Sequence, residues 1–337
     1  MTRFLDVATL RDLVASIGLE QFTAELAETI RQDFVRWPDF AKSPRTANYF
    51  PAGVIELMPV SDHEFYSFKY VNGHPANILL GFPTVMGFIV LAEVSTGKPL
   101  LIAEGTISTA IRTAATSALA ASKLANPNAR TMAIIGCGAQ SEFQTVAFKR
   151  MLGILEVRYF DVDPAAMEKF EHNLAEAGLQ LRRAGSIGEA VTGADIVTLA
   201  TADKKHAAVL TPEMVQPGIH INAIGGDCPG KTELHPDILA GSRVFVEFEP
   251  QSRHEGDVQQ MTPDFQVTEL WKVLAGLEPG RQSPDEVTVF DSVGFAIEDF
   301  SMARYLYNLA EQKNLGSKLD LVAIPSNPKD MYGLLTK

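Results

Sequence analysis

A strand that runs directly into a glycine turn and then a helix constrains this chain more than any other feature. MAIIGCGAQSEF (132–143) sets four apolar residues before Gly136-Cys137-Gly138-Ala139-Gln140-Ser141, and a helical pattern follows over 141–152. Such a turn brings backbone amides up to a pyrophosphate at a helix N-terminus. The sixth position is Ser141, so the glycine fingerprint is only partly met, and a tight strand–helix turn is the competing reading. The next strand adds context. LEVRYFD (155–161) ends on Asp161, 23 residues beyond Gly138. A carboxylate there can accept from a ribose 2′-OH and repels a 2′-phosphate, which favours NAD over NADP. Cys137 reads as small filler inside the turn.

The rhythm around this motif predicts a parallel sheet. TMAII (131–135), LEVRYFD (155–161), ADIVTLAT (194–201), GIHINAI (218–224) and SRVFVEF (242–248) read as strands. Helices intervene, one entered through Asp163-Pro164 and another at Ser186/Glu189 with capping-box spacing. TVFDSVG (288–294) is a last strand leading into a helix near 295–312. The first hundred residues differ. Thr9 is placed to cap a helix carrying Leu10, Leu13, Val14 and Ile17 that ends at Gly18, and Phe22, Leu26, Ile30 and Phe34 mark one face of a second. VIELMPV (54–60), FYSFKYV (65–71), TVMGFIVLAEV (84–94) and PLLIAEG (99–105) then predict strands with antiparallel neighbours. An alanine-rich helix over 107–125 joins the two regions. The expected class is α/β, a Rossmann-like doubly wound parallel sheet plus an α+β domain.

Composition removes several functions. The 337 residues are 46% apolar, enough for a packed core, so disorder is excluded. With 29 basic and 41 acidic residues the net charge is −12, which argues against general nucleic-acid binding. Cys137 and Cys228 form no disulfide framework and no metal-type spacing, so no metal is expected. No stretch reaches 18 uninterrupted apolar residues, so no membrane role is expected either. These features fit a cytoplasmic protein.

Two further groups of residues carry chemistry. In INAIGGDCPGKTEL (221–234), a strand ends at Gly225-Gly226 with Asp227 at its carboxyl edge, where open α/β sheets place ligands. The glycines could simply turn the chain, but the density of functional residues favours Asp227 as an acid or base. Cys228 beside it lacks an evident activating histidine, since His220 and His235 are near only in sequence. Elsewhere Arg45, Glu56, Lys69 and Arg112 stand in apolar surroundings. Edge or snorkelling positions explain them as readily as an amino-acid substrate, whose carboxylate Arg and Lys would hold while an acid handles an amine.

Taken together, ELMPV (56–60), FKYVNGHPAN (68–77), TVMGFIVLAEV (84–94), IRTAATSALAA (111–121), IGCGAQSEFQ (135–144), VTLATADK (197–204), HINAIGGDCPGKTEL (220–234) and FDSVGFAIEDF (290–300) resemble the ornithine cyclodeaminase/mu-crystallin family over nearly the whole chain. FKYVNGHP and GGDCPGKTEL resemble its cyclodeaminase-like branch. The resemblance implies an NAD-bound homodimer that converts L-ornithine, a small amino-acid substrate, to L-proline and ammonia. In family chemistry, hydride leaves the α-carbon for NAD, the δ-amine attacks the resulting iminium, ammonia departs, and hydride returns to the cyclic imine. It also implies a substrate-binding and dimerisation domain over 1–112, completed by 315–337, and an NAD-binding domain over 113–314.

Carried over by position, Asp227 resembles the group that takes a proton from the δ-ammonium. Arg45, Lys69 and Arg112 resemble the carboxylate-holding residues, with Arg112 also near cofactor, Glu56 resembles a second acid at the amine end, and Val293 borders the substrate. Cofactor contacts are implied for Thr84, Gly136, Gly138, Ala139, Gln140, Asp161, Thr201, Asp203, Asn222, Gly225, Lys231 and Ser292. The chain departs from the family pattern at GCG (136–138), ILLGFP (78–83) and AEGT (103–106). Alternatives are a related NAD(P)-dependent ketimine or pyrroline-2-carboxylate reductase, an opine-type dehydrogenase, a lysine cyclodeaminase, or a non-catalytic crystallin-like binder. Asp161 speaks against strict NADPH use, and Asp227 for an amine-cyclising role.

Overall fold

Alternating side chains in the N-terminal third form antiparallel strands, as their pattern predicts. In the computed structural model, which describes residues 1–201 and 206–336, Gly53–Ser61, Phe65–Gly73, Val85–Glu93 and Pro99–Glu104 each pair antiparallel with the one before. Thr2–Leu5 adds to the far edge, parallel to Pro99–Glu104 and antiparallel to Ser317–Leu319. Register fixes which side chains share a face. Glu56 pairs with Val71, and Met58 with Lys69, which faces Ile89 on the next strand. These residues are buried. Glu56 and Lys69 are therefore core-facing charges, not edge residues. The opposite face carries Leu57, Tyr66 and Phe88, all exposed.

The helix Ala296–Lys313 packs across these strands and against the helix Leu19–Val35. Ile297, Phe300, Met302, Ala303 and Leu306 join Leu5, Phe22, Ile30, Met58 and Ile89 in one core. The division drawn at 113–314 assigns this helix to the cofactor unit, but its packing is with the mixed sheet. Its apolar face matches that sheet, and the turn at Ser292–Gly294 lets the chain cross over. At the other end, the first helix, Val7–Ile17, is capped by Asp6, which accepts from the Thr9 amide. Thr9 was the expected cap; it instead lies inside the helix and donates its hydroxyl to Asp6.

The second sheet is parallel throughout. Its order is Gln180–Arg183, Glu156–Phe160, Thr131–Ile135, Ile196–Leu199, His220–Ala223, Thr288–Asp291, Arg243–Val246, Thr268–Glu269. The chain steps outward from Thr131–Ile135 and then returns to the other side at Ile196–Leu199. That reversal opens a crevice beyond the carboxyl ends of the strands. The helix Thr106–Leu124 lies between the two sheets' layers, packed on Leu19–Val35, Ser141–Leu152 and Ala296–Lys313. Its buried Ala114, Ala115, Ala118 and Ala121 allow close approach on several sides. Among the described residues no helix is long and apolar enough to cross a membrane.

Phe300 ties the closing helix to the segment that follows the helix Leu19–Val35, meeting Phe40 edge-on at 5.1 Å while fully buried. Phe300→Ala is expected to lower unfolding free energy by about 3–5 kcal/mol in urea titration, the cost of an aromatic-sized cavity.

Candidate active site

Beyond the carboxyl end of Thr131–Ile135, the glycine turn has the shape a pyrophosphate needs. Gly136 has φ +97°, and a Cβ there would stand 2.6 Å from the Ala200 carbonyl oxygen. Only glycine fits both demands. Gly138 faces open space, and Gln140 leads into the helix Ser141–Leu152. Asp161 reaches back to this turn: its carboxylate accepts from the Cys137 amide at 2.6 Å and from the Asp163 amide at 2.9 Å. An acceptor fixed beside the turn suits a ribose diol. Gly136, Gly138, Ala139, Gln140 and Asp161 thus come together in a cradle that fits NAD. Cys137 is fully buried, and burial, with Asp161 nearby, pushes its thiol up to about 12, which leaves it unreactive.

Further along the same strand ends, carboxylates organise the loops. Glu233 accepts from the Thr201 amide and hydroxyl at 2.8 and 2.6 Å, and from the Gly225 amide at 2.8 Å. Asp257 accepts from the amides of Glu233 and Leu234, and Asp291 from those of Asp257 and Val258. Ser292 donates to Glu247 at 2.5 Å, and Glu247 also takes the amides of Val293 and Gly294. Burial, with Glu298 nearby, pushes Glu247 up to about 7. Asn222 turns inward, donating to Gln144 and Thr198 beneath the turn. Thr84 immediately precedes the strand Val85–Glu93, and its carbonyl receives the His74 amide. Asp203 lies outside the described residues.

The charged residues singled out in the sequence gather around Ser292–Gly294. Arg45 donates to the carbonyls of Val293 and Gly294 at 2.5 and 2.6 Å and to Glu56 at 3.0 Å, and its Nε lies 3.1 Å from Glu255. Burial alone would lower its pKa, but Glu56 and Glu255 outweigh that and raise it. Arg112 contacts Glu298 at 2.5 Å and Asp299 at 3.1 Å. Gly294 lies against it, since a Cβ there would fall 2.6 Å from the guanidinium. Lys69 donates to Asp299 at 2.9 Å. Burial and the neighbouring Arg112 lower Lys69 to about 8. Asp227 is half exposed and 3.2 Å from Lys231. His220 is buried on its strand against Thr288, and His235 caps the next helix, so neither serves Cys228.

The basic trio was expected to concentrate positive charge for one carboxylate. In the structure these cations also meet carboxylates of the chain: Lys69 and Arg112 share Asp299, Arg112 adds Glu298, and Arg45 lies between Glu56 and Glu255. Sequence reasoning missed Glu247, Glu255, Glu298, Asp299, Glu233 and Asp257. Adjacent acids in GFAIEDF (294–300), inside an apolar helix start, were a usable signal. Glu255 in QSRHEGD (251–257) carried none.

Burial, together with Glu56 and Asp227, pushes Glu255 up to about 7 against the opposing pull of Arg45. A carboxyl raised in the folded state contributes stability below its unfolded value of about 4.3 and loses it as pH rises through the folded value. Urea midpoints are therefore expected to fall between pH 5 and pH 8, and by less in Glu255→Gln. Parallel pH dependence in the two proteins would contradict this assignment.

A family model for the ornithine cyclodeaminase/mu-crystallin family matches residues 7–314. Ornithine cyclodeaminase of Agrobacterium fabrum is 53% identical over 334 residues, spanning 99% of this chain and 94% of that protein. A lysine cyclodeaminase solved to explain recognition of L-lysine, L-ornithine and L-2,4-diaminobutyric acid superposes with a TM-score of 0.92 at 28% identity, over 99% of each chain. An archaeal alanine dehydrogenase dimer with bound NAD superposes with a TM-score of 0.87 at 32% identity, over 95% of this chain and 99% of that one. With its glycine cradle, its gathered charges and these matches over almost its full length, the chain belongs to the ornithine cyclodeaminase/mu-crystallin family.

Proposed function

We propose that this chain is an enzyme that converts L-ornithine to L-proline and ammonia with NAD as a recycled cofactor. The observation that carries the reading is the arrangement around Val293 and Gly294, where Arg45 binds both carbonyls and bridges Glu56 and Glu255, Asp227 acts on it electrostatically, and Lys69 and Arg112 meet on Asp299. An α-amino acid with a second amine has charges of both kinds at its two ends. The 53% identity to an ornithine cyclodeaminase along nearly the whole chain supports the same substrate.

When bound, NAD supplies reversible hydride acceptance at the substrate α-carbon. Arg45, Lys69 and Arg112 hold the α-carboxylate and fix the α-carbon against the cofactor cradle. Thr84, Thr201, Gly225, Lys231 and Ser292 complete the cofactor side with the glycine turn and Asp161, Asn222 supports that turn from beneath, and Val293 borders the substrate. Asp227 accepts a proton from the δ-ammonium and frees the nitrogen lone pair. Its half-exposed position lets that proton pass to water. The freed nitrogen closes a five-membered ring on the α-carbon, and ammonia leaves. Glu56 holds the amine end during this step.

In this reading, residues 1–112 with 315–337 form the substrate-binding and dimerisation side, joined by the helix Ala296–Lys313, and the rest of 113–314 forms the NAD side. A homodimer is supported by the exposed apolar face of Leu57, Tyr66 and Phe88 and by the dimeric archaeal relative. A cytoplasmic location fits soluble substrate and cofactor.

With catalytic NAD and L-ornithine, purified protein is expected to form proline and ammonia in equal amounts with no net NADH. Sustained NADH accumulation, or reduction of pyrroline-2-carboxylate without ornithine turnover, would identify a dehydrogenase or reductase instead. Asp227→Asn is expected to keep NAD affinity, measured by fluorescence titration, and to lose at least about 100-fold in kcat, the range for a general base.

A further inference from the structure

A small cavity of about 170 Å³ opens beside Arg45, lined by Pro44, Ala47, Tyr49, Gln251, His254 and Glu255. Glu255 is 2% exposed, yet its Oε2 accepts no hydrogen bond, although Arg45 Nε stands 3.1 Å away. Glu56, also buried, leaves its Oε1 without a hydrogen-bond partner. Both acids and Asp227 act electrostatically on Arg45. The phenol of Tyr49 is pushed up to about 12 by burial and by Glu255 and Glu56, which places it on the same acidic ground.

The local charges do not balance. Glu56, Glu255 and Asp227 bring three carboxylates, while Arg45 and Lys231 bring two cations. Once Glu255 is ionised, one negative charge is left over in this group beside the cavity, and an ammonium placed there would favour that ionised form. A primary ammonium has three N–H donors and a single positive charge, so it matches both the surplus charge and the unused acceptors.

We propose that Glu255 is a specificity-determining residue: with Glu56 and Asp227 it receives the terminal ammonium of a diamino acid and selects such substrates over amino acids with uncharged side chains. This rests on the ornithine reading for the identity of the amine. Asp227 takes the reacting proton, whereas Glu255 supplies charge and an acceptor. Its location explains the choice, because Glu255 lines the cavity together with Arg45, whose Nε stands 3.1 Å from it. A neutral chain of the same length gains nothing from this acid and leaves the surplus charge buried.

The test uses full-length protein saturated with NAD. Glu255→Gln is expected to raise the KM for L-ornithine about ten-fold or more, the size of one charge-assisted hydrogen bond. The inhibition constant of L-norvaline, which has the same carbon chain without the terminal amine, should change less than about two-fold, the margin left to surface-scale effects. Glu255→Asp keeps the charge and should fall between wild type and Glu255→Gln, which provides a second variant should the amide disturb folding. If ornithine KM and norvaline inhibition move together, or if neither moves, the proposal is wrong. Wild-type protein that binds ornithine without forming proline would sink the functional reading alone. Calorimetric binding of ornithine against norvaline to wild type and Glu255→Gln would still decide the role of Glu255.

Discussion

Cations buried between two sheets need carboxylates beside them, and this requirement joins the halves of the molecule. Lys69 comes from the antiparallel sheet, Arg112 from the alanine-rich helix, and both end on Asp299 of the closing helix. Arg45 links Glu56 of the same antiparallel sheet to Glu255 and to the carbonyls that follow the last parallel strand. Removing one partner of such a pair strands the other charge, at a cost of about 3–5 kcal/mol. The groups proposed to face the substrate are thus also the groups that dock the layers. Apolar residues of similar volume would hold the layers equally well, so the retention of charge here points to chemistry over stability.

A second consequence concerns rigidity at the strand ends. Loops that leave a parallel sheet carry backbone amides with no strand to pair with. Here Glu233, Asp257 and Asp291 take them in turn, each carboxylate accepting two or more backbone or hydroxyl donors. Burial and the neighbouring acid push Asp257 up to about 7, and Asp291 is raised for the same reasons. The result is a fixed floor under Thr201, Gly225 and Ser292.

What could be read in the sequence follows from the range of the forces involved. Strand and helix identity came from local pattern, so FYSFKYV and TVMGFIVLAEV settled their strands, and the glycine turn announced its own backbone conformation. The side chain of Asp161 was legible because its partner turn lies one strand away. The carboxylate partners were not. Glu255 meets Arg45 across 210 positions of chain, and Asp299 meets Lys69 across 230. No spacing rule reaches that far. The packing of the helix Ala296–Lys313 was not legible for a related reason: its sequence neighbours are in the parallel sheet, while its apolar face fits the other one.

The same long-range pairing explains why so many buried polar atoms remain unsatisfied in one place. Arg45 Nε, Glu56 Oε1, Arg112 Nε, Glu255 Oε2 and Asp299 Oδ2 all lack hydrogen-bond partners. Each such atom costs about 1–3 kcal/mol in a finished core, and a chain selected only for stability would pair them. They belong to ion pairs that satisfy charge but leave directional bonding incomplete. A zwitterion with a further ammonium can complete it at both ends, presenting acceptors to the guanidinium groups and donors to the acids. The binding energy then comes from bonds that these side chains do not make with one another, and it falls on ligands that carry both kinds of charge. The net −12 of the chain says nothing of this, because the selection proposed above rests on a few side chains around Arg45.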